Sequence, residues 1–187
     1  MRGGEINFSL INEKEKGYLF GIFEGSGYKY HDKVNRHYQV EFYLNSKKDK
    51  KIINYLTKLL KKLKLNVNLY QDKRFNCKRI RVNCKNFFEF IDKDINLRKK
   101  SAEFKIGYIS GLIDSEGYIN NKKSYIIITN TNRRILEKIK NFLNSRGIKT
   151  SLSKKRFGKK DRLNSCKMYI SVSFKNTPHL SIKAGKP

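Results

Sequence analysis

The sequence predicts an α+β fold built twice. Three observations carry this reading. A twelve-residue segment recurs at an offset of 90 residues, strand-period alternation follows each copy in the same order, and helical apolar stripes separate the strand pairs. Composition bounds the rest. The chain has 187 residues, enough for one good core or two small ones sharing an interface. Its 43 Lys+Arg outweigh 16 Asp+Glu, a formal charge of +27. That excess points away from a generic metabolic enzyme and towards a polyanionic partner, nucleic acid first. With 38% hydrophobic residues, 11 Tyr, 12 Phe and only 2 Pro, the chain reads as packed rather than disordered. No run approaches the roughly 18 apolar residues of a membrane span, and the start, MRGGEINFSL, does not read as a signal peptide.

The recurring segment reads GYLFGIFEGSGY at 17–28 and GYISGLIDSEGY at 107–118, gapless, with Gly17/Gly107, Tyr18/Tyr108, Gly21/Gly111, Gly27/Gly117 and Tyr28/Tyr118 identical and a difference in charge at Ser26/Glu116. Each copy begins as an apolar helix. Alternating segments near 28–33 and 38–44 follow the first, with Val40, Phe42 and Leu44 on one face. Ser46 is placed as the N-cap of a helix with the stripe Ile52, Ile53, Leu56, Leu59, Leu60 and Leu63. Two strands come next, with Val67 and Leu69, then Ile80 and Val82, facing inward. Phe87, Phe88 and Ile91 mark a short closing helix, and residues 92–101 (DKDINLRKKS) read as a linker.

The second half repeats this order. Residues 125–129 form a strand, and Thr131 or Asn132 caps a helix bearing Ile135, Leu136, Ile139, Phe142 and Leu143, which Gly147 stops. Strands at 148–155 and 167–174, the latter with Met168, Ile170, Val172 and Phe174 inward, flank a basic loop at 156–165. Each half is therefore αββαββ with a closing helix, the last one short at Pro187. The divisions are 1–92, a linker at 93–100, and 101–187. Strands joined by hairpins rather than crossovers predict antiparallel sheets with helices on one face.

Cys77, Cys84 and Cys166 have no metal-ligand spacing and read as free thiols of a reducing compartment. His31, His37 and His179 likewise follow no ligand spacing; for His31 and His37, surface or phosphate contacts fit better. In the recurring segment, Gly21 with Gly25 and Gly111 with Ser115 are small residues four apart, a spacing that lets two helix backbones approach. The two helices are expected to cross on a pseudo-twofold axis. Glu116 sits just before the terminating Gly117, so an acid lies near that axis, where carboxylates suit a hard divalent cation.

Leu19–Gly27 (LFGIFEGSG) and residues 109–117 (ISGLIDSEG) resemble the two motifs of a single-chain LAGLIDADG homing endonuclease. The resemblance covers nearly the whole chain. It implies a saddle of two four-stranded antiparallel sheets with the motif helices at the centre. It also implies binding of double-stranded DNA at a long site, hydrolysis of phosphodiester bonds with Mg²⁺, action as a monomer, and an intron or intein origin. In that family the acid before the final glycine is the metal ligand. Glu116 matches in the second motif; in the first the acid position is Ser26, a weak ligand without charge. Gly25 and Ser115 complete the metal set that the resemblance implies. Glu24 and Asp114, two residues earlier, lie about 200° away on the helix and are expected to make helix-surface or capping contacts. A basic residue near the scissile phosphate belongs to the same family picture, and Arg98 or Lys100 is assigned to it.

Alternation places Gln39, Glu41, Tyr43, Arg79, Arg81, Asn83, Tyr125, Lys149, Ser151, Ser153, Lys155, Lys167, Tyr169 and Ser171 on the outward sheet faces. Basic groups mixed with amides and hydroxyls suit major-groove edges, Arg favouring guanine and Asn or Gln adenine. The loops at 29–36, 73–78 and 154–162, including Lys159, suit phosphates. Four readings stay open: an endonuclease impaired or nicking because of Ser26; an RNA-binding intron maturase on the same scaffold; a catalytically inactive DNA-binding protein; and, least favoured by the motif, an RNA-associated structural protein. The expected location is cytoplasmic or organellar, not secreted.

Overall fold

A computed structural model describes residues 6–72, 75–120, 125–153 and 165–171. The first long helix, α1 (Glu13–Ser26), starts at a capping box. The Asn12 side chain accepts the Glu15 N–H, and the Glu15 carboxylate accepts the Asn12 N–H, each at 2.8 Å. Its six consecutive buried residues, Gly17 to Ile22, mark a helix enclosed on every side rather than one with a wet face. Then come β1 (Gly27–Asp32), β2 (His37–Asn45), α2 (Lys50–Lys62), β3 (Val67–Asp72), β4 (Cys77–Val82) and α3 (Lys85–Asp92). The second unit contains α4 (Ala102–Glu116), β5 (Gly117–Asn120), β6 (Tyr125–Asn130), α5 (Arg133–Asn144), β7 (Thr150–Leu152) and β8 (Cys166–Ser171).

The strands form two four-stranded antiparallel sheets, ordered β1-β2-β4-β3 and β5-β6-β8-β7. The expected α+β architecture is thus present, with five α-helices among the described residues. One face of each sheet is dry at its centre, while Leu69, expected inward and paired with Ile80, stays 46% exposed on the edge strand β3. Val40, Phe42, Leu44, Ile80 and Val82 pack under α2 and α3, and Ile126, Ile128, Met168 and Ile170 pack with Leu136, Ile139 and Leu143 of α5. All six stripe residues predicted from Ile52 to Leu63 are buried.

α1 and α4 make the most extensive contact between any two elements. The approach is backbone to backbone. A Cβ added at Gly21 would fall 1.9 Å from the Tyr108 carbonyl oxygen, and one at Gly111 would fall 2.3 Å from that of Tyr18. Tyr18 and Tyr108 are themselves 90 residues apart, so the contact is reciprocal and the crossing pseudo-symmetric. The same contact recurs one turn earlier at Gly17 and Gly107, which the four-residue spacing noted in the sequence did not include.

Some boundaries differ from expectation. Ser46 is not a cap. The Asn45 side chain accepts the N–H groups of Lys47 and Lys48, folding 45–48 into a turn, so α2 begins at Lys50. The linker is not free. Leu97, in a 3-10 turn at Leu97–Lys99, is buried, and the Ser101 side chain caps α4 by accepting the Phe104 N–H. Gly147 stops α5 as expected, with φ of +75°. Lys155, Lys159, His179, Val172, Phe174, most of the 156–165 loop and the C-terminal closing helix lie outside the described residues. Among the described residues no helix is long and apolar enough to cross a membrane.

Candidate nucleic-acid interface

The outer face of the first sheet is organised in rows. Register places Tyr28, Glu41, Arg81 and Asn68 across one row, and Tyr43, Arg79 and Tyr70 across the next, while Tyr30 pairs with Gln39. In the second sheet, Tyr118, Ile127, Tyr169 and Ser151 share a row, Thr129 pairs with Lys167, and Tyr125 pairs with Ser171. Ser153 and Lys149 extend this face through backbone bonds to Lys167 and Ser171. Lys149, Ser151, Lys167, Ser171 and Asn83 are exposed, while Tyr125, Ser153 and Tyr169 are half-buried. The named outward residues within the described chain therefore share the predicted faces, with two differences in depth. Gln39 is buried, and Glu41 is only 1% exposed.

Beside Tyr43, which alternation placed outward, the strands expose aromatics that the sequence reading did not single out. Tyr28, Tyr30, Tyr43, Tyr70 and Tyr118 all sit on the outer faces and account for most of the large exposed side chains. Tyrosine with an apolar ring and a polar tip is suited to a partner rather than to bulk water. Lys29 pairs with Asp92 at the surface. His31 stacks on Tyr38 with ring centres 4.2 Å apart.

At the ends of α1 and α4 lie the acidic groups. Glu116 is exposed at the last position of α4, and its neighbour Ser115 faces Gly25 across the crossing. A Cβ at Gly25 would meet Ser115 Oγ at 2.1 Å and Glu116 Cγ at 2.6 Å. Burial raises the proton affinity of the Glu116 carboxyl, and the charge of Glu24 raises it further. Glu24 is itself pushed up by burial. The two acids before the motif ends differ. Glu24 is exposed on α1, as expected of a helix-surface acid, with its charge felt by Glu116 and Tyr108, whereas Asp114 is not on the surface but fully buried, accepting the Tyr18 hydroxyl at 3.0 Å. Burial first, then Asp114, raises the Tyr18 phenol far above its ordinary range.

Ser26 does not substitute for an acid. Its hydroxyl donates to the Ile22 carbonyl at 3.0 Å, as Ser115 donates to Gly111 and Leu112 at 3.0 and 3.1 Å. Arg98 and Lys100 are also misplaced for work at Glu116. They precede α4, whereas Glu116 ends it, and the helix between, at about 1.5 Å per residue, is roughly 20 Å long. Lys100 lies over the Phe104 ring at 5.0 Å. Arg98 instead lines a cleft of about 280 Å³ with Lys105, Lys138, Leu97 and Phe142, on the helix side of the second sheet.

The donor set fits a hard divalent cation in type but thinly. Two carboxylates, Glu116 and Glu24, are near enough to repel. Gly25 and Ser115 lie in last helical turns, where carbonyls lack intrahelical partners. Among the described residues no three His, Cys, Asp or Glu side chains converge as a ligand group.

Crossed motif helices that each lead directly into an antiparallel four-stranded sheet define a duplicated, two-motif architecture. One LAGLIDADG-like domain model matches residues 103–180, and the WhiA LAGLIDADG-like domain model matches residues 15–87. The chain is a two-motif LAGLIDADG protein. Among solved structures, I-DmoI in complex with DNA and Mn is 24% identical, with a TM-score of 0.66 over 85% of this chain and 90% of that one. The N-terminal LAGLIDADG domain of DUF199/WhiA is 18% identical, with a TM-score of 0.59 over 88% and 78%. Full-length DUF199/WhiA from Thermatoga maritima is 19% identical, with a TM-score of 0.60 over 92% and 55%. No curated protein sequence matches the chain.

Proposed function

We propose that the protein binds a long double-stranded DNA site as a monomer and hydrolyses phosphodiester bonds with Mg²⁺ at the α1/α4 ends. The observation carrying this is the position of Glu116 and Glu24. They sit at the helix crossing, at the junctions where α1 and α4 pass into sheets with basic, amide- and tyrosine-bearing outer faces. The solved relatives support the reading: I-DmoI is described with its target DNA and with Mn or Mg. Glu116 and Glu24, with the Gly25 and Ser115 carbonyls, would hold the cation. A divalent ion there supplies positive charge to a leaving oxygen and acidifies a bound water. Glu116 and Glu24 bring negative charge, but the first motif's acid position, Ser26, brings none, with its hydroxyl committed to Ile22. Cleavage is therefore slow or confined to one strand.

An RNA-binding maturase is a second reading, favoured by the cleft carrying Arg98, Lys105 and Lys138 away from the sheet faces. Competition binding separates the two. Excess duplex DNA displaces a labelled duplex in the first reading, and structured RNA displaces it no better than its charge predicts. Tighter binding to structured intron RNA than to any duplex would decide for the maturase.

A further inference from the structure

Glu41 is an odd residue to find on a surface that faces a polyanion. Its negative charge opposes phosphate binding, and it is 1% exposed in the middle of the first sheet's outer face. Its carboxylate is fully employed. Oε1 accepts the Arg81 Nε–H at 2.6 Å and lies 3.5 Å from Arg79 Nε, while Oε2 accepts the Tyr43 hydroxyl. Both guanidinium carbons lie over the one Tyr70 ring, at 4.8 and 4.9 Å from its centre, and so at most about 10 Å apart. The Arg79 and Arg81 side chains remain 36% and 24% exposed.

Arg81 Nε is bonded to Glu41, Arg79 Nε lies beside the same oxygen and shares a hydrogen bond with Tyr43, and each group is seated on Tyr70, so both guanidiniums are held in place with their remaining N–H groups left to face a partner. A fixed two-pronged donor matches guanine O6 and N7. A phosphate contact needs no such aiming and is weakened by a carboxylate underneath. We propose that Glu41 is a positioning residue that aims Arg79 and Arg81 at two guanines, within about three base pairs of each other, in the half-site under the first sheet. This rests on the DNA-binding reading above. The second sheet provides an internal contrast. The 90-residue offset sets Tyr118 on Tyr28, and cross-strand register then sets Ile127 where Glu41 stands and Tyr169 where Arg81 stands. That row has no guanidinium and no carboxylate, so the position symmetric to Arg81 carries no guanine requirement; in the next row Lys167 stands where Arg79 does, opposite Thr129, with no carboxylate at the Glu41 position to aim it. The bound site is asymmetric in sequence although the fold is duplicated.

The test is selection from randomised duplexes, followed by binding titrations on single-base variants of the selected site. Wild type selects two close guanines in one half, each preferred roughly tenfold or more over adenine. Arg81→Ala loses one preference and Arg79→Ala the other. Glu41→Ala relaxes both together while binding to random duplex rises, since a negative charge has gone; a purely structural residue would lower both. Glu41→Gln, which keeps the shape and one acceptor oxygen, retains an intermediate preference. Tyr70→Leu weakens both preferences if Glu41→Ala does not fold. A selected site lacking guanines in that half, or equal loss on all sequences in Glu41→Ala, overturns the proposal and leaves DNA binding intact. Failure to select any duplex overturns the function on which it rests.

Discussion

The fate of each acid is set by what its side chain touches. Glu116 and Glu24 are both raised, so the folded protein holds their protons more tightly than the unfolded chain does. Stability contributed by that protonation is present at acidic pH and lost as pH rises through the raised carboxylate range. Glu24→Gln removes the repulsion on Glu116, and its carboxyl midpoint, followed by NMR, moves down towards the ordinary value. An unmoved midpoint would separate the two groups. A cation held between them competes with protons, so Mg²⁺ affinity climbs as pH rises through the same range. At Tyr18, Tyr18→Phe leaves the buried Asp114 one donor short and costs about 1–3 kcal/mol in urea unfolding. No measurable loss would mean that Asp114 is satisfied without it.

At the scale of elements, the helix crossing depends on missing side chains. Gly21→Ala drives a methyl into the Tyr108 carbonyl, and the helices must separate. A loss of about 3 kcal/mol or more is expected, against about 1–2 kcal/mol for Gly147→Ala, where only the left-handed backbone is strained and nothing is within 4 Å. Equal losses would show that close approach does not govern the crossing. This joint was legible because glycine at helical spacing, duplicated at a fixed offset, signals little besides close backbone approach. The strand faces were legible because alternation is a local property; Val40, Phe42 and Leu44 went in and Tyr43, Arg79 and Arg81 out. Depth was not legible. Alternation assigns Glu41 to a face, yet its burial comes from Arg79, Arg81 and Tyr43 closing over it, through contacts 40 residues apart. Ser46 misled for the opposite reason: Asn45 is the stronger local acceptor. The Glu24–Glu116 proximity depends on the crossing itself, which no single-helix wheel contains.

On the whole-molecule scale, the duplication gives one chain the pseudo-twofold arrangement that a symmetric dimer would have, with freedom for its halves to diverge. Ser26 against Glu116 and Ile127 against Glu41 are two such divergences. Sedimentation should give a monomer, bound to duplex DNA with a slope of log K against log salt steeper than about −3, since each neutralised phosphate contributes about −0.9. A shallower slope would mean that few phosphates are gripped. Strand-resolved cleavage of the selected duplex in Mg²⁺ bears most closely on the proposed chemistry. The unaltered protein should cut slowly or in one strand only, near the middle of the protected stretch. Ser26→Asp should cut both strands there, and Glu116→Gln should cut neither. Undiminished cutting by Glu116→Gln, or full-rate cutting of both strands by the unaltered chain, would contradict it.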